Sequence, residues 1–77
     1  MGERFPAVTY RDVVKVARKL GFYLYRRTKG SHEIWRREKD HRYTTIPNHG
    51  SHTLKRKTVK SILSDLQITL EELRKFL

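Results

Sequence analysis

The sequence predicts an α+β domain, a two-layer sandwich in which helices pack on a single face of one antiparallel sheet. Three observations carry that prediction. Apolar residues recur at three-and-four spacing near both ends of the chain. Three short runs rich in aromatic and β-branched residues lie between those ends at hairpin spacing, and turn residues separate the runs. The expected order is helix, three strands, helix, short helix.

Residues 1 to 8 read as a short leader. Thr9 followed three positions later by Asp12 is the signature of a capping box at a helix start. Tyr10, Val13, Val14 or Val16, Ala17 and Leu20 then mark one helical face, and Gly21 stands where a C-terminal glycine would, giving a helix over residues 10 to 20. The run Phe22 to Arg27 is too short and too aromatic for another helix and reads as a strand. Thr28-Lys29-Gly30 is the turn, Ser31 to Arg37 the second strand, Glu38 to His41 a charged turn, and Arg42 to Ile46 a third strand stopped by Pro47. Ile34 and Trp35 are adjacent and both apolar, so they point to opposite faces, and the alternation alone does not choose which one meets the helices. Asn48 to Lys57 has no apolar period and reads as an ordered loop. After it Val59, Ile62, Leu63 and Leu66 restore the helical stripe, and Thr69 with Glu72 caps a last short helix carrying Leu70, Leu73, Phe76 and Leu77. The second face of the sheet is left open.

A chain of 77 residues without internal repeats is one domain, residues 1–77. At this size roughly 60% of the unfolded chain's surface is buried on folding, which leaves room for one thin core and none for a large enclosed cavity. A two-domain enzyme cradling a cofactor is excluded, and no cofactor is expected. The absence of cysteine removes disulfides, thiolate zinc sites and cysteine nucleophiles. Gly2, Gly21, Gly30 and Gly50 are scattered, so no glycine-rich phosphate loop supports a kinase or ATPase. No apolar run approaches the roughly 18 residues of a membrane span, and the N-terminus lacks a signal-peptide core, so the expectation is a soluble cytoplasmic protein with no membrane partner. Eighteen Lys and Arg against eight Asp and Glu give a formal charge of +10. Such a surface asks for a polyanion, and nucleic acid is the abundant one.

The charge is not spread evenly. Between Arg26 and Lys60 eleven basic residues face only Glu33, Glu38 and Asp40, so this stretch holds eight of the ten net charges. Gathered on strands, turns and the start of the second long helix, it suits phosphates, because each neutralised phosphate releases counterions. Tyr23, Tyr25, Trp35 and Tyr43 interleave with it. Rings of this kind stack on unpaired bases in single-strand binders, although more often they are core, and Trp35 reads as packing. Lys29-Gly30-Ser31-His32 delivers a hydroxyl and an imidazole to the start of a strand. Imidazole takes and gives protons near neutrality, as RNA cleavage requires: a base removes the ribose 2′-hydroxyl proton, cations steady the phosphorane, and an acid protonates the leaving 5′-oxygen. A single histidine in a basic strand is by itself more often a surface residue. His49 and His52 have a spacing compatible with metal binding, but no Cys and no carboxylate between Arg42 and Ser64 completes a set, so no metal site is expected, and the pair reads better as part of a loop that orders the strand end or touches substrate. His41 reads as solvated.

Taken together, Leu20-Gly21-Phe22, Arg27-Thr28-Lys29-Gly30-Ser31-His32, Ile46-Pro47-Asn48-His49-Gly50 and Leu54 through Ser61-Ile62-Leu63 resemble the HicA toxin family, small ribonucleases of toxin–antitoxin pairs. The likeness runs from about Val13 to Leu77. It implies a fold similar to a double-stranded-RNA-binding domain and an endoribonuclease that cuts mRNA without a metal and blocks translation. The family's Gly-Ser-His motif falls on Gly30-Ser31-His32, which makes His32 the expected catalytic residue. Arg26, Arg27, Lys29, Ser31, Arg36, His49, Lys55 and Lys57 are the residues expected to hold RNA. Two departures stand out. Glu33 occupies a position where many relatives carry a second His, removing a possible proton donor, and Arg56-Lys57 replaces a frequent Pro-Gly. The resemblance also implies a HicB-type antitoxin partner, with a monomer when free and a hetero-oligomer when bound. The alternative reading is an RNA-binding module of the same fold that cuts nothing. A DNA-contacting repressor is disfavoured, because the charge gathers on strands and loops and not along one helix.

Overall fold

The computed structural model describes residues 5–77. Helix α1 (Tyr10–Lys19) leads into strands β1 (Tyr23–Arg27), β2 (His32–Arg37) and β3 (Arg42–Pro47), followed by α2 (Arg56–Leu66) and α3 (Leu70–Phe76). The strands form one antiparallel sheet in the order β1-β2-β3. This is the α+β layout expected from the pattern, with the helices on one face.

Local chemistry sets the helix ends. Thr9 accepts from the Asp12 amide and Asp12 accepts from the Thr9 amide, closing the capping box of α1; Thr69 and Glu72 repeat the device at α3. Gly21, at φ +92°, ends α1 in the left-handed region. There its amide donates to Arg18 O and the Phe22 amide to Ala17 O, which satisfies two terminal carbonyls.

The core gathers Val13, Val16 and Ala17 of α1, Phe22, Trp35 and Ile46 of the sheet region, Leu54, and Val59, Ile62, Leu63, Leu66 and Leu73 of the following helices. The neighbours Ile34 and Trp35 are thereby resolved: Trp35 is the one that faces the helices, 1% exposed, with the Arg18 guanidinium 5.4 Å from its ring. Buried Thr44 donates to Asp65 and ties β3 to α2.

Several boundaries differ from expectation: α1, β1 and β2 each lose one expected terminal residue, Leu20, Phe22 and Ser31, and two other elements gain residues. Pro47 is the last residue of β3 and not its stop, paired with His32. Strand β3 lies at the sheet edge, where a residue without an amide proton is tolerated. Arg56 and Lys57 form the first turn of α2 and not the end of a loop. Residues 1 to 4 of the expected leader lie outside the described residues. Val8, in contrast, is fully buried, and its carbonyl accepts from the Leu54 amide at 2.7 Å. The segment after β3 is thus pinned to the chain before α1.

Candidate active site

At one end of the sheet the β1–β2 turn, the end of β3 and the start of α2 converge. Gly30 makes the turn possible at φ +72°, a conformation that costs a residue with a Cβ about 1–2 kcal/mol. Thr28 closes the turn by donating its amide to His32 O at 3.0 Å. His32 therefore opens β2 with an exposed side chain. Its ring borders an open groove of about 520 Å³ lined by Pro47, His49, His52, Thr53, Leu54, Lys55 and Thr58.

One wall of that groove is the beginning of α2. Lys55 is the N-cap and offers no side-chain acceptor to the first-turn amides, and that turn contains no acid. Uncapped amides, the positive end of the helix dipole and Lys55, Arg56 and Lys57 create a local preference for anions. Three imidazoles and an ammonium thus share a groove with a cationic helix start. Among the described residues no group of three or more His, Cys, Asp or Glu is placed to hold a metal ion.

Behind the groove stands Glu33, one residue from His32 and pointing the other way. It is 1% exposed. Its Oε1 accepts from Tyr10 Oη at 2.6 Å and Trp35 Nε1 at 3.2 Å, and its Oε2 from Arg27 Nε and Asn48 Nδ2, both at 3.3 Å. Burial pushes this carboxyl up, yet the bonds from Tyr10, Trp35, Asn48 and Arg27 outweigh it and hold the group below the ordinary carboxylate range. The same contact, with burial as the larger cause, pushes the Tyr10 phenol up to about 12. Asn48 is held from three directions, because its amide also donates to Ser31 O at 2.7 Å and its Oδ1 accepts from the Gly50 amide at 3.2 Å. Glu33 and Ser31 thereby fix the loop that carries His49 against the strand that carries His32.

A family model described as HicA toxin of bacterial toxin-antitoxin matches residues 10–68, from the start of α1 to just past α2. The chain belongs to the HicA toxin family. Among curated proteins none matches it. Membership makes it the toxin of a toxin–antitoxin pair, and so implies an antitoxin partner. No helix among the described residues is long and apolar enough to cross a membrane.

In this HicA-family chain the expected site residues fall into four places. His32, His49 and Lys55 share the groove. Arg27 and Ser31 line a shallower depression of about 240 Å³ beside it, with Gly30, Glu33 and Asn48. Arg27 bonds Glu33 through Nε while 69% of its side chain stays exposed. Lys29 in the turn and Lys57 on the first turn of α2 are exposed at the margins. Arg26 and Arg36 are elsewhere, on the open face of the sheet away from the helices, Arg26 opposite Ile34 and Arg36 among tyrosines. His52, which the sequence places with His49 on a loop that orders the strand end or touches substrate, lines the groove with His32. The reading of Glu33 as a lost proton donor is corrected by its direction: alternation along β2 aims position 33 at the helix layer, away from the groove that His32 borders.

Proposed function

We propose that this toxin is a metal-independent endoribonuclease that cleaves mRNA, with residues 1–77 acting as one domain. The observation that carries the reading is the exposed His32 in an open groove shared with His49, His52 and Lys55 at an uncapped, basic helix start. An RNA strand lying there puts a phosphate against the α2 amides and Lys55, with Arg27, Lys29, Ser31 and Lys57 receiving its neighbours.

The reaction needs two proton transfers. One group takes the proton from a ribose 2′-hydroxyl as its oxygen bonds to phosphorus. The phosphorus–O5′ bond then breaks, and a second group protonates the departing O5′. His32 fills one of these roles, and His49 and His52 are the imidazoles in the same groove for the other. The cations steady the charge on the phosphorane. Lys and Arg supply this without a metal, so activity is expected to survive EDTA. The natural partner on this reading is a HicB-type antitoxin that covers the groove in the cytoplasm.

The test is His32→Ala with its fold verified by circular dichroism, incubated with labelled single-stranded RNA in EDTA. Removing a general acid or base lowers the rate by about 10²–10⁴. Cleavage at the wild-type rate would refute the assignment. Intact RNA with a gel shift from the wild-type protein would point instead to a binding module.

A further inference from the structure

The open face of the sheet holds a second feature that the groove does not use. Along β2 the side chains of His32, Ile34 and Arg36 point away from the helices, while Glu33 and Trp35 point into them. Register places Tyr23 and Tyr43 on either side of Arg36. Alternation along β1 puts Tyr25 on the same face as Tyr23, and the register shift between Leu24 and Arg26 brings Arg26, opposite Ile34, to that face too. Tyr25 sits between the other two rings, 6.5 Å from Tyr23 and 6.3 Å from Tyr43, at 72° to each. The Arg36 guanidinium lies 5.2 Å from the Tyr25 ring and 5.7 Å from that of Tyr43.

These rings are 41%, 46% and 52% exposed; among the described residues Leu77 is the only other exposed large apolar side chain. The most exposed aromatic rings among the described residues are thus gathered at one spot. They are also held in place, by the T-shaped contacts and by a cation beneath the rings. In each edge-to-face pair one ring keeps both faces free of the other, so flat surface remains for a further ring.

We infer that Tyr25 and Tyr43, braced by Arg36, form a stacking platform for unpaired bases of single-stranded RNA on the open sheet face. The inference rests on the ribonuclease reading for its ligand and names where that ligand's bases sit. The charge of the chain as a whole, +10, favours a polyanion over a protein occupant. One carboxylate reaches the patch, Glu38, which accepts from Tyr23 Oη at 3.0 Å and lies 3.9 Å from Arg36, and no exposed aliphatic side chain stands among the rings. Position agrees. His32 and Arg36 share a face four residues apart, about 13 Å along the strand, so an RNA strand leaving the groove passes over the rings. A duplex keeps its bases stacked internally and has none to offer.

The experiment uses a fluorescently labelled 2′-O-methyl oligonucleotide, which lacks the nucleophile for cleavage and so reads binding alone. Tyr25→Leu and Tyr43→Leu preserve an apolar cover over Arg36 but remove the ring, and Tyr25→Phe and Tyr43→Phe preserve the ring. Each Leu variant is expected to bind the single strand at least about fivefold more weakly, with each Phe variant within about twofold of wild type and binding to a duplex of the same sequence unchanged. The inference is overturned if the wild type does not bind the single strand, if the Leu variants bind it as wild type does, or if they lose duplex binding equally. It is also overturned if their only defect is in pairing with the antitoxin or with a second copy of the chain. Should the Leu variants not fold, wild-type protein photocrosslinked to a 5-iodouridine oligonucleotide decides: adducts on Tyr25 or Tyr43 support the platform, and adducts only elsewhere refute it. Cleavage of unmodified RNA in parallel tests His32 separately, since a chain that binds through its rings and cuts nothing loses the nuclease reading and keeps this one.

Discussion

Glu33 and His32 are neighbours in one strand with opposite surroundings, and the difference decides what each can do. The imidazole meets solvent and a groove, whereas the carboxylate is 1% exposed and meets four donors. In Glu33→Gln one oxygen still accepts, but the new amide group faces the Arg27 and Asn48 donors. We expect a loss of about 1–3 kcal/mol in urea unfolding at neutral pH. The pH dependence has a definite sign. A carboxyl held low in the folded state contributes stability above its unfolded value of about 4.3, and the contribution fades as pH falls through the lower folded value. The gap between wild type and Glu33→Gln should therefore narrow in acid, and a gap that stays constant from about pH 2 to pH 7 would contradict it. Tyr10 has the opposite sign. Its phenol is raised to about 12, so its contribution is complete below the unfolded value of about 10 and is lost as pH climbs between the two. Of this site the sequence displays Gly30, Ser31 and His32 as a motif. Glu33's role is invisible there because its donors come from positions up to 23 residues away, and only strand parity relative to the helices brings them together.

Among the elements, those whose signals are local were legible and those set by tertiary contacts were not. Both capping boxes can be read from Thr9 with Asp12 and Thr69 with Glu72, because a cap involves residues three apart. The bulge beside Tyr25 and the pairing of Pro47 cannot, since each depends on the partner strand. The C-terminus of α2 shows a local signal that is missing. Gln67 sits at φ +59°, with its amide on Ser64 O and the Ile68 amide on Leu63 O, the arrangement that glycine usually serves. The left-handed region costs a residue with a Cβ about 1–2 kcal/mol, partly offset by the extra chain entropy of glycine. Gln67→Gly is thus expected to stabilise the fold by about 0.5–1 kcal/mol in chemical denaturation. A destabilised variant would show that the Gln67 side chain contributes more than its strain.

At the scale of the molecule, the helices cover one sheet face and leave the other to solvent, and cations border both the groove and the open face. Arg27, Lys29, Lys55 and Lys57 surround the His32 end, while Arg26 and Arg36 lie across the sheet. If a single strand runs from the groove over the tyrosines, it meets both sets, and its affinity must carry the signature of counterion release. Each neutralised phosphate on a single strand contributes about −0.7 to the slope of log affinity against log salt. About five contacts give a slope near −3.5, or roughly a hundredfold loss between about 50 and about 200 mM salt. The two sets should also separate. Replacing Lys55 or Lys57 by Ala is expected to flatten the slope by about 0.7 per phosphate contact removed, whereas Tyr43→Leu should lower affinity without changing the slope, because a ring releases no counterion. Titrations of the 2′-O-methyl oligonucleotide at several salt concentrations measure both quantities at once. A slope near zero in the wild type would mean that the +10 surface does not hold phosphates at all, and a slope altered by Tyr43→Leu would mean that the rings act only by positioning Arg36.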